Sequence, residues 1–66
     1  MRVEINGKEQ EIEPHTTVAS LIASYELEAK HVAVEINCDL VRRSDFESVV
    51  VKEGDKLEIV TLVGGG

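Results

Sequence analysis

The chain has a single cysteine, Cys38, so no disulfide forms within it and no zinc-ligand spacing is present. A small domain without such staples fits a reducing compartment. The opening residues, Met1-Arg2-Val3-Glu4-Ile5-Asn6, lack the apolar stretch of a secretory signal, and no run approaches a membrane span in length. The expected location is therefore cytoplasmic, with no membrane partner. Basic residues are few, 7 against 13 acidic ones, for a formal net charge of −6. An acidic surface repels phosphate backbones, which argues against nucleic acid. The same charge favours solubility and steers the molecule toward basic partner surfaces.

Catalytic patterns are missing too. His15 and His31 belong to no metal or nucleophile-and-base arrangement and read as surface loop residues. Glu9, Glu11 and Glu13 alternate along one polar face and read as a solvated edge. Cys38 falls in a turn, and a turn position alone does not lower a thiol pKa. There is no GxxxxGK loop and no GxGxxG, so any nucleotide involved is held by another protein. With 66 residues the chain is one small domain burying about 60% of its unfolded surface, too thin a core for a deep pocket with several catalytic groups. The expectation is a protein without catalytic residues, resident metal or bound cofactor.

Several elements are legible. Met1, Val3 and Ile5 alternate with Arg2 and Glu4, the period of a half-buried strand. Asn6-Gly7 is a strong hairpin signal, and Lys8 to Glu13 forms a polar return strand at a charge-blunted sheet edge. Pro14 closes it. Thr16 or Thr17 caps a helix running from about Val18 to Glu26 or Leu27, with Val18, Leu21, Ile22 and Tyr25 on one core-facing stripe. Val32, Val34 and Ile36 mark a third strand, Asn37-Cys38-Asp39 a turn, and Leu40-Val41 the return. A loop with a short helical turn over Arg42 to Glu47 leads to a short apolar run, Val49-Val50-Val51. Glu53-Gly54-Asp55 is a further turn and Leu57 to Val63 the last strand. Strands with one helix over one face make an α+β layer arrangement.

The last strand has two parities. With Leu57 and Ile59 facing the helix, Val60 and Leu62 project from the opposite, solvent-facing side and form a docking patch. Three glycines then follow, Gly64-Gly65-Gly66. Glycine gives up the most conformational freedom on ordering and packs nothing, so the three add little to a fold. They supply a thin flexible arm, reaching roughly 10 Å when extended, that enters slots closed to bulkier residues. The α-carboxylate of Gly66 is an anion at neutral pH and resists nucleophiles. Attack of its oxygen on the α-phosphate of ATP makes it a mixed anhydride open to sulfur, nitrogen or oxygen nucleophiles. The arrangement is that of a substrate that carries its chemistry at its end: residues 1–63 a folded domain, residues 64–66 a flexible tail.

Taken together, the Asn6-Gly7 turn, Thr16-Thr17-Val18 with Leu21, Val34-Glu35-Ile36-Asn37, Val41-Arg42-Arg43, Glu53-Gly54-Asp55, Ile59-Val60 and Gly65-Gly66 resemble the ThiS family along the whole chain. These are the small sulfur carriers of thiamine (thiazole) biosynthesis, within the MoaD-ThiS group of ubiquitin-like β-grasp proteins. The resemblance implies a mixed sheet of four or five strands with one main helix on one face. It implies that a ThiF-type, E1-like adenylyltransferase uses ATP and magnesium to adenylate Gly66. A cysteine desulfurase or other donor then supplies sulfur to form a thiocarboxylate, and a ThiG-type thiazole synthase consumes that sulfur. Gly64 and Gly65 would thread the partner active sites, and Val60 and Leu62 would dock. The alternatives are a molybdopterin synthase small subunit of the MoaD type, a ubiquitin-like protein modifier, and a plain interaction domain with an inert tail. One departure stands out: family members often carry Asn-Gly where this chain has Asn37-Cys38. A type I′ turn needs positive φ at both centres, so the type of this turn stays open.

Overall fold

The computed structural model describes residues 1–62. Strand β1 (Arg2–Ile5) buries Val3 and Ile5 and turns through Asn6 (φ +51°) and Gly7 (φ +84°) into β2 (Lys8–Glu11). Both turn residues are left-handed, as a two-residue type I′ hairpin demands, and the register runs from Ile5 opposite Lys8 to Arg2 opposite Glu11. The return strand stops two residues short of the expected Glu13. The Ile12 amide still donates to the Met1 carbonyl, but Pro14 follows and has no N–H to extend the ladder.

Helix α1 (Val18–Ser24) starts at Thr17, whose hydroxyl accepts the Ser20 amide at 3.1 Å. It buries Val18, Leu21 and Ile22. The helix ends earlier than its apolar stripe predicts. Glu26 takes φ +60°, its amide donates to the Ala23 carbonyl, and the Leu27 amide reaches back to Ile22. These are the paired bonds of a Schellman stop, built here on a glutamate rather than the usual glycine. Tyr25 is thereby the cap and not a member of the core stripe. It is 40% exposed, and its hydroxyl donates to Gln10 Oε1 at 3.2 Å.

A 3-10 turn (Ala29–His31) leads into β3 (Val32–Ile36), which buries Val32 and Val34. Asn37 (φ +52°) and Cys38 (φ +73°) then turn the chain into β4 (Asp39–Val41). Both centres are left-handed despite the Cβ on Cys38, which settles the question that the missing glycine left open. A second 3-10 turn (Arg43–Asp45) delivers Phe46 into the core. The apolar run Val49–Val51 does not join the sheet. It makes a single bridge, Thr17 to Val50, and exchanges main-chain bonds with the start of α1: Val18 N–H to the Val49 carbonyl, and Val51 N–H to the Thr16 carbonyl. Val51 is buried there and Val50 is not.

Strand β5 (Lys56–Thr61) closes the structure. The sheet order is β2-β1-β5-β3-β4, with β1 and β5 parallel and every other pair antiparallel. The last strand in sequence is thus the central strand in space. It is flanked by two hairpins, with α1 across one face. This is the β-grasp arrangement, with β2 at an edge as its charge predicts. The core joins Val3, Ile5, Val18, Leu21, Ile22, Val32, Val34, Phe46, Val51, Leu57 and Ile59 in one cluster between sheet and helix.

Candidate functional site

The site of interest is the outgoing half of β5. Leu57 and Ile59 point at the helix and are buried, while Glu58, Val60 and Leu62 lie on the opposite face. Val60 is 53% exposed and Leu62 51% exposed, so the parity read from the sequence holds. The register sets Ala33 of β3 beside Val60. The Leu62 amide donates to the His31 carbonyl at 2.7 Å, so the chain is still bound to the sheet at that residue. Toward the other end of the same face, Glu58 lies beside Glu35, and Glu35 beside Leu40. All three are exposed, Leu40 to 68%. Val60 and Leu62 are therefore an apolar pair with acidic neighbours and a further aliphatic two strands away. Sequence reasoning missed Leu40. The available signal was strand alternation: with apolar Val41 turned toward the core, where it is half-buried, Leu40 beside it turns outward.

On the helix side of the same strand is an open groove of about 520 Å³, with Ile59, Thr61, Lys8, Gln10, Tyr25 and Leu27 among its walls. It exists because β1 ends at Ile5 while β5 continues. Beyond that point the Asn6 side chain bonds β5 from the β1 flank. Its Oδ1 accepts the Ile59 amide at 2.8 Å, and its Nδ2 donates to the Ile59 carbonyl at 3.1 Å.

Other residues singled out in the sequence lie elsewhere. Cys38 is exposed in the β3–β4 turn. The Asn37 amide beside it bonds the Lys56 carbonyl, at the start of β5. Six strand residues, about 20 Å, separate that point from Leu62, so the thiol is not brought to the site. His15 is exposed in the loop before α1; His31 is exposed and reaches β5 only through its carbonyl. Glu9, Glu11 and Glu13 are exposed, and Glu11 is engaged with the Met1 ammonium at 2.8 Å. That contact holds the ammonium above its ordinary pKa and the Glu11 carboxyl below its own. Among the described residues no group of three His, Cys, Asp or Glu could hold a metal, and no helix is long and apolar enough to cross a membrane. Gly64, Gly65 and Gly66, expected to thread partner sites and carry the acyl chemistry, lie outside the described residues, as does Val63 at the expected end of the last strand.

Known proteins share this sequence pattern and fold. The ThiS family model matches residues 3–66. The sulfur carrier protein ThiS of Bacillus subtilis is 38% identical over 65 residues, spanning 97% of this chain and 98% of that protein. A thiazole synthase of Paramagnetospirillum magneticum is 41% identical over 66 residues, and the chain spans only 20% of its length. The crystal structure of a thiamine biosynthesis protein, ThiS, from Geobacter metallireducens superposes with a TM-score of 0.84 at 30% identity, each chain covered in full. The chain belongs to the ThiS family.

Proposed function

We propose that this chain is a sulfur carrier of thiamine (thiazole) biosynthesis, acted on by partner enzymes and not itself catalytic. The observation that carries the reading is the likeness to the Bacillus subtilis carrier over nearly the full length of both proteins. In this account a ThiF-type, E1-like adenylyltransferase holds ATP and magnesium. The Gly66 carboxylate oxygen attacks the α-phosphate, pyrophosphate leaves, and an acyl-adenylate forms. A sulfur nucleophile from a cysteine desulfurase or another donor then adds to the acyl carbon and displaces AMP. With a persulfide donor the product is an acyl disulfide; a thiol then attacks the donor-side sulfur of its S–S bond, forming a new disulfide with the donor and releasing the Gly66 thiocarboxylate. Glycine suits this step because no side chain hinders approach to the carbonyl. Gly64 and Gly65 thread the partner channels. Val60 and Leu62 are the residues that dock, and their exposure on the face away from the helix supports that role.

Thiazole synthase is the proposed acceptor of the sulfur. Support comes from a protein of that name that carries a segment similar to this chain over a fifth of its length. Carrier and consumer in one polypeptide is the expected arrangement for two parts that act together. Co-purification tests the pathway. The chain loaded with sulfur is expected to retain a ThiG-type thiazole synthase and not a molybdopterin synthase large subunit. The reverse preference would move the chain to the molybdopterin pathway, and covalent adducts to lysines of other proteins would make it a modifier.

A further inference from the structure

Strand β5 is held differently on its two flanks. Toward β3 the ladder runs unbroken from Lys56, through Leu57 opposite Ile36, to the bond from Leu62 to His31. Toward β1 the main-chain partners run out with the bond from Asn6 N–H to the Leu57 carbonyl. The next residue on that flank, Ile59, is served by a side chain: Asn6 Oδ1 takes its amide and Asn6 Nδ2 its carbonyl. An amide side chain offers one acceptor and one donor, as a strand residue would, so Asn6 extends the parallel ladder after the backbone has turned away.

The other hairpin has a counterpart. Asn37, the first residue of the β3–β4 turn, accepts the Lys56 amide at Oδ1 and donates from Nδ2 to Asp55 Oδ1, both at 3.0 Å. Each asparagine sits at positive φ in a two-residue turn, and each clasps one end of β5. Only Asn6 clasps the end that leads to Val60, Leu62 and the glycines.

We infer that Asn6 is a positioning residue for the carrier function: by pinning Ile59 it fixes the outgoing half of β5, so that Val60 and Leu62 meet a partner already aimed away from the helix. The inference rests on the proposed carrier function. It places the residue's effect on partner engagement, because a strand held on its β3 flank alone keeps more freedom that must be given up at the moment of binding. Once bound, the acyl chemistry proceeds as before.

Glycine substitutions test this cleanly. Gly takes the left-handed turn conformation without strain, and Gly-Gly is itself a favoured hairpin pair, so the turn survives loss of the clasp. In Asn6→Gly the Ile59 amide exchanges with solvent faster by about tenfold or more, and the KM for adenylation by the ThiF-type enzyme rises roughly tenfold, the loss expected for one to two hydrogen bonds. The kcat stays within about twofold, since uniform binding alone is lost. Asn37→Gly is the matched control: it frees the Lys56 amide but leaves KM within about twofold of wild type. An unchanged KM in Asn6→Gly, or an equal rise in Asn37→Gly, overturns the inference. The two levels fail separately. A wild-type chain that is not adenylated refutes the carrier function and takes this role with it. An active wild type with an unperturbed Asn6→Gly refutes the clasp alone.

Discussion

Among the described residues, five with side chains adopt positive φ: Asn6, His15, Glu26, Asn37 and Cys38. Asparagine tolerates this conformation, and both asparagines spend their amides on β5 as well. Cys38 does neither. Its exposed side chain lies in a left-handed position that costs a Cβ-bearing residue about 1–2 kcal/mol. Cys38→Gly is therefore expected to raise the unfolding free energy by about 0.5–1 kcal/mol after the greater freedom of the unfolded chain is offset. Adenylation should be unaffected, and the denaturant midpoint reads the change. The Met1–Glu11 pair yields a pH signature. The raised ammonium pKa stabilises the fold below its unfolded value near about 8, and that contribution fades as pH climbs through the folded value. The lowered Glu11 pKa stabilises above about 4.3, and its contribution fades as pH falls through the folded value. The pair is thus at full strength between the two. A Tm series should show Glu11→Gln melting slightly below wild type in that window, with the difference vanishing in strong acid and shrinking in strong base, where Arg2 Nε, 3.7 Å from Glu11, stays charged. A constant difference across pH would show that the ion pair is not its source. The clasps themselves were not legible in the chain. Asn6-Gly7 announces a turn, but a bond between residues 53 apart leaves no local pattern.

Elements were legible where side-chain period and burial agree. Alternation gave β1, β3 and β5, and the apolar stripe with a threonine cap gave the start of α1. The end of α1 was hidden, because its Schellman stop uses Glu26 where a glycine would have marked it, and Tyr25 consequently fell off the stripe. The Val49–Val51 run was ambiguous, since three consecutive valines carry no period; its partners are the first residues of the helix. Phe46, alone among polar neighbours, gave no sign of its burial. The proposed docking role falls on the outer face of β5. Leu62→Asp puts a charge on a residue that is half in water, with its own amide still bound to His31. Its Tm should stay within about 2 °C of wild type, while the affinity for the adenylating enzyme falls by roughly tenfold or more, as for loss of an apolar anchor. A large drop in Tm with binding intact would mean that Leu62 serves the core and not a partner.

At the scale of the molecule, two hairpins flank a central strand, one helix covers one face, and the other face offers a small apolar pair amid acidic residues. The net charge of −6 suits partners with basic surfaces around an apolar recess. The thin core is built around one central strand, β5, which leads to Leu62. The central claim is that sulfur is carried at Gly66. Intact mass spectrometry after incubation with the ThiF-type enzyme, ATP, magnesium and a sulfur donor tests it most directly. The account predicts a mass gain equal to replacement of one oxygen by sulfur, confined by fragmentation to Gly66 and absent from a chain lacking Gly65 and Gly66. An unchanged mass under conditions that load the Bacillus subtilis carrier, or sulfur found on Cys38 instead, would contradict it.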